Sequence, residues 1–131
     1  EIEPIAIRLA AAHLDENRLR EFRAFFSSVG PDLMGTFQMD TDMHLYIIDN
    51  CRNQYLIDMM HKVFDDNTRI VIATKQDEMK IHNAAAEHLE ILDSLIRRDD
   101  VEYTANLMRT HVETCRKAAM KYFYTDGFPT V

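Results

Sequence analysis

The chain has 131 residues, 47% of them hydrophobic, enough for one domain with a core of its own. No apolar run approaches the ~20 residues of a membrane span and no signal-peptide pattern opens the chain, so a cytosolic protein is expected. Acids outnumber bases 22 to 15, a formal net charge of −7, which argues against a nucleic-acid-binding surface across the whole domain but leaves room for a small basic pocket. The first residue is Glu1, so a processed chain or a piece of something longer is expected.

Apolar residues recur at helical spacing throughout, and no segment sustains a period of two. Gly and Pro are few and fall at Pro4, Gly30-Pro31, Gly35, Gly127 and Pro129. A first helix is predicted from about Glu3-Pro4, with Pro in the first turn where its missing N–H costs nothing, and with Ile5, Leu9 and Ala12 on one face. Asp15 is placed to cap a second helix carrying Leu19, Phe22, Phe25 and Phe26, which stops at Gly30-Pro31. A third covers about Phe37 to Cys51, with Met43, Ile47 and Ile48 inward. A fourth starts near Asn53 and runs through Leu56, Met60 and Phe64, continuing past Ile70 with a kink around Asp65 to Asn67. A fifth spans about Asp77 to Arg97, and a sixth about Val101 to Tyr122 after a tight turn at Asp99-Asp100. Residues 1–124 then form one all-α domain, an antiparallel bundle of six to seven helices, with 125–131 as a tail.

Three histidines carry the chemistry. His44 leads to Ile47, Ile48 and Cys51, and Asp40 lies one turn before it on the same face. His88 stands between Ala84-Ala85 and Ile91-Leu92-Leu95, and His111 between Leu107-Met108 and Cys115. A single histidine on an apolar face is ordinarily a core residue bonded to a carbonyl or an acid. Three such helices, one also presenting a carboxylate, place several polar groups in one core, where each costs a few kcal/mol unless something satisfies them together. A divalent metal would: neutral imidazoles and a carboxylate suit zinc first, then nickel, iron or manganese. There is no HExxH, no Glu-x-x-His, no phosphate loop and no GxSxG elbow. His13, His61 and His82 read as surface or boundary residues, and Cys51 and Cys115 as reduced core thiols.

These same residues resemble a known family. Asp40-Thr41-Asp42-Met43-His44 is similar to the D-x-x-F-H motif of the FCD domain, the effector-binding domain of the FadR subfamily of GntR transcription regulators, with Met43 where Phe is frequent. Asn53 with Leu56 resembles its N-x-x-L segment, Glu87-His88 with Ile91-Leu92 its EH-x-x-I-L segment, and Asp99, Ala105, Met108 and His111 its D…A-x-x-M-x-x-H pattern. Glu3-Pro4 and Leu9-Ala10-Ala11 resemble its opening helix. The resemblance implies Asp40, His44, His88 and His111 as metal ligands, a small organic acid as effector, and a homodimer. It also implies a winged-helix DNA-binding domain, which has no counterpart in this sequence, so DNA would be reached only through that missing part.

The expected function is therefore sensing, not catalysis: a metal anchors a carboxylate, and the helices around it respond. Arg69, next to the apolar stretch Ile70 to Ala73, is a candidate carboxylate partner, with Thr41 and Asn106 as further candidates. Two alternatives stand beside this. One is a metal-dependent hydrolase, against which no unassigned inward carboxylate stands out as a base. The other is a metal-free helical dimerisation module.

Overall fold

The computed structural model describes residues 2–28, 33–74 and 85–121. Among them are six α-helices, a short 3₁₀ turn and no strand: α1 (Ile2–Ala10), the turn Ala11–His13, α2 (Glu16–Ser27), α3 (Leu33–Asp49), α4 (Gln54–Thr74), α5 (Ala85–Arg97) and α6 (Val101–Lys121). The all-α bundle expected from periodicity is the fold. None of these helices is long and apolar enough to cross a membrane.

Local signals set the helix ends. Asp15 caps α2 through its carboxylate, which accepts from Asn17 N–H, while its own N–H donates to Tyr46 Oη on α3 at 2.7 Å. Asn53 opens α4: its Oδ1 accepts from the N–H groups of Tyr55 and Leu56 at 3.0 and 3.2 Å, satisfying donors that the helix itself leaves over. At the end of α5, Asp99 N–H donates to Ser94 O and Arg98 N–H to Leu95 O. That pair of bonds is a Schellman motif, and Arg98 holds its left-handed position with φ 58°.

α2 packs along α5 and α1 along α6, with further packing of α1 on α3, α5 on α6 and α3 on α4. The core is formed by Ile7 from α1, Leu19, Phe22 and Phe26 from α2, Met43, Ile47 and Ile48 from α3, Met60 from α4, Ile91, Leu92 and Leu95 from α5, and Ala105 and Met108 from α6. Ser94 and Thr104, both buried, share a hydroxyl–hydroxyl bond of 2.6 Å between α5 and α6, so neither is left unsatisfied.

Three expectations need adjustment. In α1 the buried face is Pro4, Ala6, Ile7 and Ala10, whereas Ile5 and Leu9 are 41% and 45% exposed. The helix is apolar on most sides, so its periodicity admits either stripe. Its place against both α3 and α6 favours the small residues, whose side chains let backbones approach. α3 begins at Leu33, four residues earlier than expected, and carries Gly35 in its first turn. α4 is unbroken through Asp65 to Asn67, with Thr68 Oγ1 donating back to Phe64 O. α5 is described over Ala85–Arg97; the part expected from Asp77, along with Tyr122 and the tail 125–131, lies outside the described residues. Both cysteines are free thiols: Cys51 is buried and Cys115 half-buried.

The left-handed backbone at Arg98 costs a non-glycine residue about 1–2 kcal/mol, part of which glycine would return through the greater freedom of its unfolded chain. Because the Arg98 side chain is exposed, Arg98→Gly is expected to raise stability by about 0.5–1 kcal/mol in denaturant titration. A decrease would show that the side chain contributes more than the backbone strain costs.

Candidate metal centre

Helical pitch stacks Asp40 and His44 one turn apart on α3, and bundle packing brings His88 of α5 and His111 of α6 to the same point. The three histidines are 5%, 2% and 3% exposed. His88 Nε2 lies 3.2 Å from His111 Nε2, which in turn lies 3.3 Å from His44 Nε2. Asp40 Oδ1 lies 3.1 Å from His44 Nε2 and 2.8 Å from His88 Nε2. The four ligand atoms all fall within 4.8 Å of one another, a group that could hold a metal ion. A first-row metal with bonds of about 2.1 Å separates neighbouring ligand atoms by about 3.0 Å at octahedral angles and about 3.4 Å at tetrahedral ones. Three of the four spacings fall in that range, and the fourth, Asp40 Oδ1 to His88 Nε2 at 2.8 Å, lies just below it.

Two more carboxylates stand behind this group. Glu3 of α1 bonds His44 Nδ1, and Glu87 of α5 bonds His111 Nδ1 at 2.7 Å. A carboxylate only accepts, so each of these ring nitrogens carries a hydrogen, and a neutral ring then turns a bare Nε2 lone pair to the centre. His88 Nδ1 is buried without a hydrogen-bond partner, and so is Asp40 Oδ1, which touches two imidazoles without lying in line with an N–H. Asp40 as a residue is half-buried, but this oxygen is enclosed. An orphaned carboxylate oxygen facing converging imidazole nitrogens is the arrangement that a cation satisfies and that protons alone satisfy poorly.

The charge states agree. Burial opposes ionisation of Asp40, but the charge of His44 and the close approach of His44 and His88 overcome it and hold the carboxyl far below its usual range. Glu3 behaves likewise: burial is outweighed by the charge and hydrogen bond of His44. For His44, burial disfavours the imidazolium, yet Glu3 and Asp40 on opposite sides raise its pKa well above 6.5. Burial, with His44 charge next, lowers His111 and keeps it neutral. Without an ion, Glu3 and Asp40 thus favour the protonated form of His44, while burial favours the neutral form of His111.

The surrounding walls are aromatic. The Phe26 ring of α2 lies 4.4 Å from that of His88, and Phe64 of α4 lies 5.9 Å from His44. Cys115, one turn past His111, has its thiol 3.8 Å from His111 Nδ1, and burial first, then the nearby carboxylates, pushes its pKa up to about 12. All six helices therefore contribute a side chain to this centre or its walls.

Of the other residues singled out from sequence, Thr41 is buried beside Asp40. Arg69 is 73% exposed and pairs with Asp66 at 3.7 Å. Asn106 is exposed and accepts from Arg109 at 2.5 Å. His13 and His61 are surface residues, bonded to Arg52 and Asp49 respectively, and His82 lies outside the described residues. The inward carboxylates Glu3 and Glu87 were not anticipated. Glu3 shares a face with Ile7 and Ala10, so choosing the Ile5–Leu9 stripe for the core hides it. Glu87 precedes His88 by one residue, a rotation of about 100° that turns it toward the neighbouring helix. Its partner is 24 residues away in sequence.

A family model described as the FCD domain matches residues 1–114. No curated protein and no solved structure matches the chain.

The charge states have a consequence for stability in the metal-free chain. The folded pKa of His44 stands above the unfolded value, so its contribution is fully present below about pH 6.5 and is lost as pH rises through the folded value. Asp40 and Glu3 act in the opposite direction: their contribution is present above their unfolded values of 3.8 and 4.5 and is lost as pH falls. Denaturant titration of chelator-treated protein should show stability falling as pH rises above about 6.5. A flat profile over that window would contradict the clamped imidazolium.

Proposed function

The chain belongs to the FCD domain family, and we propose that it is the effector-binding domain of a GntR-type transcription regulator of the FadR subfamily. In this reading it holds a divalent metal, zinc first, through Asp40, His44, His88 and His111, and recognises a small organic acid there. The observation that carries it is the enclosed convergence of Asp40 Oδ1 and three imidazole Nε2 atoms, with neighbouring atoms 2.8–3.3 Å apart and all within 4.8 Å of one another.

A bound ion would supply an electrophilic anchor for an anionic ligand, because four protein ligands leave positions open on a six-coordinate metal. The protein's own part is to hold the four ligand atoms in place. Glu3 and Glu87 fix the orientation of two rings, and Phe26 and Phe64 shield the pocket from water. Of the three effector-contact candidates Thr41 is buried, whereas Arg69 and Asn106 would have to leave Asp66 and Arg109 to reach a ligand. A sensing role is favoured over hydrolysis because both newly found inward carboxylates are engaged with histidines, a use that competes with service as a general base. A homodimer fits the exposed Ile5 and Leu9 on α1 and Tyr55, Met59 and Val63 on α4, the last three spaced at successive turns.

The ligand assignment is tested by metal-linked stability. An ion that binds only the folded chain adds about 2.7 kcal/mol at a free concentration 100-fold above its Kd. Wild type should therefore melt several degrees higher with zinc, and His88→Ala and His111→Ala should lose most of that increment. An unchanged increment in both variants would refute the assignment. The effector reading is tested by calorimetry with hydroxy-, keto- and dicarboxylic acids before and after chelation. One of these acids should bind only the metal-loaded chain, and equal binding after chelation would refute the anchor.

A further inference from the structure

Two of the three central histidines have a carboxylate behind them, and those carboxylates differ in what they attach. Glu87 belongs to α5, which already carries a central histidine and packs on α6, so its bond to His111 reinforces a contact that exists without it. Glu3 belongs to the first turn of α1, a helix that contributes no atom to the central group of four. The Glu3–His44 bond is thus the polar link between α1 and that group. It is part-buried, with the Glu3 and His44 side chains 14% and 5% exposed. The remainder of α1 is held by the apolar residues Ala6, Ile7 and Ala10, and by an exposed ion pair from Arg8 to Glu102 at 2.8 Å.

We propose that Glu3 is a positioning residue through which metal occupancy at His44 is coupled to the docking of the first turn of α1. This rests on the ligand assignment above and deepens it. The physical basis is reciprocal. An acceptor at Nδ1 orients the His44 ring and raises the basicity of Nε2, which favours metal there. An ion on Nε2 anchors the far side of the His44 ring and holds Nδ1–H aimed at Glu3, so that this bond loses less freedom when it forms. By linkage, whatever Glu3 adds to metal affinity, the metal returns to the docking of α1. No comparable return is expected for His88, whose Nδ1 meets no acceptor. A ligand event at the centre of the bundle then has a specific mechanical output at one helix terminus, instead of a general stiffening.

The test uses the 131-residue chain with zinc and compares wild type, Glu3→Ala, Glu3→Gln and Glu87→Gln. Competition titration against a chromophoric chelator reads affinity, and amide hydrogen exchange with and without zinc reads each helix separately. Glu3→Ala should weaken zinc binding by about 10–100-fold, whereas Glu3→Gln, which keeps an acceptor oxygen but loses the charge, should fall between it and wild type. In wild type, zinc should slow exchange across α1 as well as α3, α5 and α6. In Glu3→Ala at saturating zinc, the slowing should vanish from α1 and persist in the other three, and Glu87→Gln should keep it in α1. Folding of each variant is checked by far-UV circular dichroism, and Glu3→Gln serves should Glu3→Ala not fold. Zinc-dependent slowing of α1 that survives in both Glu3 variants would overturn the coupling, as would wild-type affinity in both. A wild-type chain that takes up no zinc would overturn the ligand assignment itself, and this proposal with it.

Discussion

The interaction on which the rest of the structure depends is the mutual satisfaction of ionisable groups at one buried point. Asp40, His44 and Glu3 form a charged triad inside the bundle, with His88 and His111 against it. A charge buried without a partner costs several kcal/mol, and a folded domain has only about 5–15 kcal/mol of net stability in hand. Such a cluster is tolerable only if every helix that carries a member is held in register. The packing pattern answers that requirement: α1 lies against both α3 and α6, and α5 against both α2 and α6.

The same register explains why the helix ends are so thoroughly specified. The side-chain caps at Asp15 and Asn53 and the Schellman closure after α5 fix where α2, α4 and α6 begin. A shift of one residue along a helix turns a side chain by about 100°, which would take His88 or His111 off the centre altogether. The family segment beginning at Asn53 thus has a structural meaning, since it supplies the cap of α4, which carries Phe64 to the wall beside His44.

The site is also asymmetric. Its lower tier of carboxylates is complete for His44 and His111 and missing for His88, whose ring instead leans on Phe26. Two buried polar atoms at the centre, His88 Nδ1 and Asp40 Oδ1, are left without a hydrogen-bond partner.

By itself the sequence determined the all-helical class, most helix ends, and the four residues that meet at the centre. These are properties of short range: a cap, a breaker, or a polar residue interrupting an apolar stripe is visible within one or two turns. Asp40 and His44 announce each other because i and i+4 stack on any helix, and His88 and His111 announce themselves by being polar where their neighbours are apolar. The tertiary structure alone decided which of two apolar stripes of α1 faces inward, and with it the role of Glu3. It alone paired Glu87 with His111 and set Arg69 on the surface. Each of these depends on how one helix is rotated about its axis against another, and local periodicity carries no such information when a helix is apolar on several sides or when partners lie 24 to 41 residues apart.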